Sequence, residues 1–206
     1  MNGPTPALDL YWLPLGAGGH SVRWNGRVYE AASALIERRA ATDLYHSALV
    51  VRLPPDWWVI EMTPVFVTDG GDRGVVAEGV VGARWLGRSR YFRYEIHCWC
   101  SGSIADVAQA VASPVRLSSD ESMCRRLLSQ LGSVPTPVWG RDELAAGEMW
   151  NSNSVTSWAL ASSGLDAEAV RPPARGRAPG WDAGIVVARR QRESEGVTQA
   201  AEDLRL

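Results

Sequence analysis

Asn151-Ser152-Asn153-Ser154 stands directly before a run with a helical apolar pattern. Val155, Trp158 and Ala159 recur at that spacing, and Gly164 follows where a C′ glycine would stop the helix. A hydroxyl at such a start lies beside backbone N–H groups that lack an intrahelical partner, and near about half a positive charge. That environment stabilises an oxyanion, which makes Ser152 a candidate nucleophile with Asn151 and Asn153 as candidate supports for the oxyanion. The same residue types are also the favoured helix caps, so plain capping is the competing reading of this segment.

A serine nucleophile needs a base, and the chain has three histidines. His46 opens the apolar run Ser47-Ala48-Leu49-Val50-Val51, and Glu61 interrupts a second one, Val59-Ile60-Glu61-Met62. An antiparallel pair turning around Leu53-Pro54 would set His46 opposite Glu61 on one face, within hydrogen-bond reach. A carboxylate there would fix the imidazole tautomer and raise its basicity, as the orienting member of a nucleophile–base–acid set does. A structural ion pair, or two solvated side chains, would account for the same residues.

The other histidines carry less chemistry. His97 lies in Glu95-Ile96-His97-Cys98-Trp99-Cys100, but strand alternation separates Cys98 from His97, and no second ligand pair has zinc-site spacing. Neither a metal nor a cofactor is expected. Cys124 falls on a helical stripe with Met123, Leu127, Leu128 and Leu131, the position of a packed core thiol. His20 follows Gly16-Ala17-Gly18-Gly19, a cluster without the spacing of a phosphate-binding loop.

The elements that must hold these groups read as strands first and helices later. Strands are expected over Leu8 to Leu15, Leu44 to Leu53, Trp57 to Thr63, Gly74 to Val81 and Tyr91 to Trp99, with a tight hairpin at Asn25-Gly26 between Val22-Arg23-Trp24 and Arg27-Val28-Tyr29. Ser103 to Val111 reads as helical. A helix with a Ser118–Glu121 capping box runs to Leu131, and the Ser152 helix follows. Gly184 to Ala188 reads as a last strand. One α+β domain is expected over residues 1–188, a small antiparallel sheet packed against helices, with residues 189–206 a polar, disordered tail lacking periodicity.

Composition narrows the function classes. All 21 basic residues are arginine, which rules out lysine Schiff-base chemistry, and a net charge of −2 gives no basic footprint for nucleic acid. No window approaches the ~20 apolar residues of a membrane span. Three cysteines form no disulfide framework, and with no secretory signal at the N-terminus a cytoplasmic setting is the expectation. Ten tryptophans, as in Pro55-Asp56-Trp57-Trp58 and Trp139-Gly140-Arg141, would pack a core or line a cleft for peptide, glycan or acyl chain.

Taken together, His46-Ser47-Ala48-Leu49, Val59-Ile60-Glu61 and Asn151-Ser152 resemble the circularly permuted papain-like superfamily. That group includes bacterial permuted peptidase-like hydrolases and the lecithin:retinol acyltransferase type. The order histidine, polar residue, nucleophile is the permuted one, and the resemblance spans roughly Tyr11 to Glu61 and Trp150 to Leu165. It implies an amide or ester hydrolase or acyl transferase in which Ser152 attacks, His46 shuttles its proton and Glu61 orients His46. The alternative it leaves is an inactive binding or interaction protein that keeps the cleft. The family usually carries cysteine where this chain has Ser152. A thiol ionises readily at a helix start beside histidine, whereas a serine hydroxyl must lose its proton during attack.

Overall fold

In the computed structural model, residues 5–15, 43–65, 74–104, 106–173 and 176–203 are described, with side chains through 197. The Asn25-Gly26 hairpin, the glycine cluster and His20 lie outside them. Six strands, β1 (Ala7–Pro14), β2 (Tyr45–Leu53), β3 (Asp56–Pro64), β4 (Val75–Val80), β5 (Arg93–Cys100) and β6 (Val115–Ser118), form one antiparallel sheet in the order β4-β5-β3-β2-β1-β6. Among the described residues three α-helices follow: α1 (Glu121–Gln130), α2 (Ser152–Ser162) and α3 (Trp181–Asp203). The architecture is α+β, and no helix among the described residues is long and apolar enough to cross a membrane.

Alternation gives the sheet two unlike faces. One carries Leu8, Leu10 and Trp12 of β1, Leu49 and Val51 of β2, Ile60 and Met62 of β3 and Tyr94 and Ile96 of β5, all buried in a single core with the helices. Cys124 and Leu127 of α1 and Val155, Trp158 and Ala159 of α2 complete that core, as their helical spacing predicts. The other face holds a smaller cluster of Leu13, Ala48, Val50, Val59 and Ile104.

On this second face Asp9 is buried between two guanidinium groups, accepting from Arg52 Nη1 and Arg116 Nε. A carboxylate taken out of water needs such partners.

Strand β6 is not among the expected strands, and four expectations differ from the structure. The β2–β3 ladder pairs Leu53 with Asp56 and Leu49 with Ile60, so Pro54-Pro55 is the turn, and the register is shifted by two residues from the one that would set His46 opposite Glu61. Among the described residues of the Ser103–Val111 stretch only Val107–Gln109 is helical, as a 3-10 turn: Asp106 is left-handed (φ 56°), and Val111 N–H donates to Trp12 O of β1 (2.9 Å) rather than to its own turn. Helix α1 is capped by Asp120, which accepts from Ser122 N–H (2.8 Å), because Ser118 is still in β6.

The fourth difference is the largest. Gly184 to Ala188 lies inside α3, which continues as helix to Asp203 through most of the stretch expected to be a disordered tail. Gly184 is where α3 crosses α2: a Cβ there would lie 2.1 Å from Ser154 O and 2.2 Å from Ser157 Oγ. Close helix approach therefore overrides the strand preference of Ile185, Val186 and Val187. Trp12 and Trp181 meet nearby with ring centroids 5.1 Å apart, tying α3 to the sheet.

Candidate functional site

The start of α2 is held by its own side chains. Asn151 Oδ1 accepts from the N–H groups of Asn153 (2.9 Å) and Ser154 (3.3 Å), and Ser154 Oγ accepts from Asn151 N–H (3.0 Å), a reciprocal capping box. Two of the N–H groups that an oxyanion would need thus already serve Asn151. Ser154 Oγ also donates to Gly180 O (2.7 Å), and Ser157 Oγ lies close to Trp181 O (2.6 Å), so both hydroxyls fix the segment that enters α3.

Asn153, the other candidate oxyanion support, has its side chain engaged with the sheet. On the edge of β2 that faces β3 the ladder ends at Leu49, and the backbone groups before it find other partners. Tyr45 N–H donates to Arg177 O (2.8 Å), Tyr45 O accepts from Asn153 Nδ2 (2.9 Å), and Ser47 O accepts from Thr156 Oγ1 (3.4 Å). Asn153 Oδ1 accepts from Ser47 Oγ (2.9 Å), and its Nδ2 also reaches Pro179 O (2.9 Å). Asn153 is almost wholly buried, and a buried carbonyl left unpaired is costly. The polar residues of α2's first turns thus complete the sheet where β2 and β3 separate.

Ser152 stands apart from this network. It is buried, yet its hydroxyl forms no hydrogen bond with a described residue. The structure does not bring it together with the other two candidates. Ser47 points at α2, so alternation puts His46 on the opposite, second face of β2, where its ladder partner is Leu13 of β1.

Glu61 shares that second face but stands opposite His97 in the β3–β5 ladder, not opposite His46. Burial lowers the His46 pKa to about 4, partly offset by the charge of Asp106. The ring is therefore neutral near pH 7 and a weak base, far from the value near the working pH that serves proton transfer best. The carboxylate that acts on it is Asp106 rather than Glu61.

The β3–β5 ladder gathers a second polar group on the same face. His97 Nε2 lies 3.2 Å from Thr63 Oγ1 and 3.3 Å from Glu95 Oε2, with Glu61 alongside. Cys98 and Cys100 point to the other face, and burial pushes the Cys98 thiol up to about 11, so it is not a ready thiolate. Nearby, Arg141 Nε donates to Gly82 O, and Asp142 accepts from Ala146 and Gly147 N–H.

Sequence reasoning does not single out Glu148. Its Oε2 accepts from Gly180 N–H (2.8 Å), just ahead of α3, and burial raises its pKa, with Asp182 adding to the rise. Glu148 sits on the wall of a cavity of about 670 Å³ at the N-terminal end of α3, together with Glu168, Arg171, Trp181, Asp182 and Arg189. The signal, a lone glutamate in a loop, has no spacing to find it by. No family model matches the chain, and neither a curated protein nor a solved structure matches it significantly.

Proposed function

We propose that this chain is a non-catalytic binding domain of the permuted papain-like type, in which the helix start that would carry the nucleophile serves as a structural lock. One observation carries the reading: Asn151, Asn153, Ser154, Thr156 and Ser157 all spend their polar groups on backbone partners, from β2 to the entry of α3. The ligand site that fits it is the cavity beside the lock. Its walls carry carboxylates and guanidinium groups in about equal measure, which favours a short peptide with charges of both signs over an acyl chain.

A second reading, acyl transfer to an amide or ester through Ser152, His46 and Glu61, keeps one observation in its favour. The Ser152 hydroxyl is uncommitted at the positive end of α2.

A fluorophosphonate probe and a peptide titration separate the two. The binding reading expects no labelling that depends on Ser152. It also expects short zwitterionic peptides to change the emission of Trp181 in the cavity wall, an effect weakened in Arg189→Ala. Labelling of the wild type that disappears in Ser152→Ala and in His46→Ala would replace binding with catalysis.

A further inference from the structure

We infer that the Arg84–Phe92 segment, between β4 and β5, docks on an anionic lipid headgroup layer. Trp85 is 74% exposed, Tyr91 73% and Phe92 41%, an unusual outlay of large rings to water within eight residues. Arg84, Arg88 and Arg90 are exposed among them, and the sequence from Gly79 to Tyr94 contains no aspartate or glutamate. Arg84 is held by both oxygens of Glu143 (2.9 Å each) and Arg93 pairs with Glu78, whereas Arg88 and Arg90 form no ion pair with a described residue.

The rings are presented on a braced support. Two 3-10 turns, Arg84–Arg88 and Arg90–Phe92, are closed by Leu86 N–H to Ala83 O (2.9 Å), Ser89 N–H to Leu86 O (2.9 Å) and Phe92 N–H to Ser89 O (3.0 Å). Their base is tied to the neighbouring loop through Gly82 N–H to Trp139 O (3.2 Å) and through Arg141. At Gly87 a Cβ would come within 2.5 Å of Val80 Cγ2, so the turn lies flat against β4. Little ordering entropy remains to be lost on docking.

This chemistry suits a lipid surface better than a folded partner. Tryptophan and tyrosine settle at headgroup depth, where the ring is apolar and its N–H or O–H stays hydrated. Arginines beside them reach the anionic phosphates while their stems lie along the apolar layer. The patch is nine residues, against roughly 20–30 a side for a stable protein interface. No helix among the described residues is long and apolar enough to cross a bilayer, and the proposed contact is with its surface.

The full chain is tested by co-sedimentation with phosphatidylcholine vesicles, with and without phosphatidylglycerol. Binding is expected only with the anionic lipid, falling as salt is raised. Arg88→Gln and Arg90→Gln should each weaken it about five-fold at low salt, and Trp85→Ala with Tyr91→Ala should abolish it. All four side chains are exposed, so the melting temperature should not change and serves as the folding control. No binding to anionic vesicles, or equal binding by the double aromatic variant, overturns the proposal. So does a result in which that variant changes only self-association in ultracentrifugation, which would make the patch a protein interface.

Discussion

Replacing Asn153 by alanine tests the structural lock directly. The amide makes three contacts at 2.9 Å: it accepts from Ser47 Oγ and donates to Tyr45 O and Pro179 O. Pro179 O keeps a donor, because Asn151 Nδ2 also reaches it at 2.8 Å. Tyr45 O does not, since β3 is absent from that stretch of the ladder and the helix above it is buried. One buried carbonyl and one buried hydroxyl therefore lose their partner, at about 1–3 kcal/mol each, less what Ser47 recovers by rotating. The expected loss is about 3 kcal/mol. For a chain of this size that lowers the melting temperature by roughly 6–12 °C, from about 2–4 °C per kcal/mol.

Ser152→Ala is the matched control. Its hydroxyl makes no hydrogen bond with a described residue, so the change should stay within about 0.5 kcal/mol. Denaturant unfolding of both variants, with Ser47→Ala and the Ser47/Asn153 double variant, gives the coupling between the two side chains, expected at about 1 kcal/mol or more. If Asn153→Ala is as mild as Ser152→Ala, or if the ranking reverses, the lock is refuted.

Three further outcomes follow from buried charge. His46 titrates near 4 in the folded chain against 6.5 when unfolded, so the unfolded chain takes up the proton first: stability should be level above about pH 6.5 and fall toward pH 4, by at most about 3 kcal/mol and less for a half-buried ring, with His46→Gln flattening that slope in pH-dependent melts. Glu148 has the opposite sign: its raised pKa means the folded state holds the proton longer, so its contribution declines as pH rises above the usual carboxylate range, and Glu148→Gln should remove that decline in urea titrations. Asp9→Asn should cost about 2 kcal/mol in the same assay, below the 3–5 of a fully buried pair, because Arg52 and Arg116 are 39% and 48% exposed and water can reach them.

What the sequence carried and what it hid divide along physical lines. Strands β1 to β5 were legible from their β-branched and aromatic residues and from the proline and glycine turns between them. The face of each residue was legible too, since a register shift of two leaves alternation unchanged. Register itself was not: Pro54-Pro55 fixes it through turn geometry, which the apolar pattern of β2 and β3 does not encode. Helix α3 was hidden because Ile185-Val186-Val187 has strand propensity, and only Gly184's fit against Ser154 and Ser157 explains why a helix passes there. Cys124 was readable from its stripe alone. The tie from Asn153 to Tyr45 spans 108 positions, and no local pattern reports a contact of that separation.

A free helix N-terminus and a capped one draw on the same residues, which is why Asn151-Ser152-Asn153-Ser154 supports two readings as a string. The distinction lies in what the orphan N–H groups bind when no substrate is present. Here Asn151 Oδ1 holds those of Asn153 and Ser154, so an oxyanion formed at Ser152 would have to compete with an internal cap already at 2.9 Å. It would also need a base, and the imidazole of His46 lies beyond the plane of β2 on the far face of the sheet. Moving Ser152 into reach of His46 would mean releasing Asn153 from Tyr45 and Ser47, the contacts that close the gap between β2 and β3. Catalysis at this serine and integrity of the sheet therefore pull on the same hydrogen bonds.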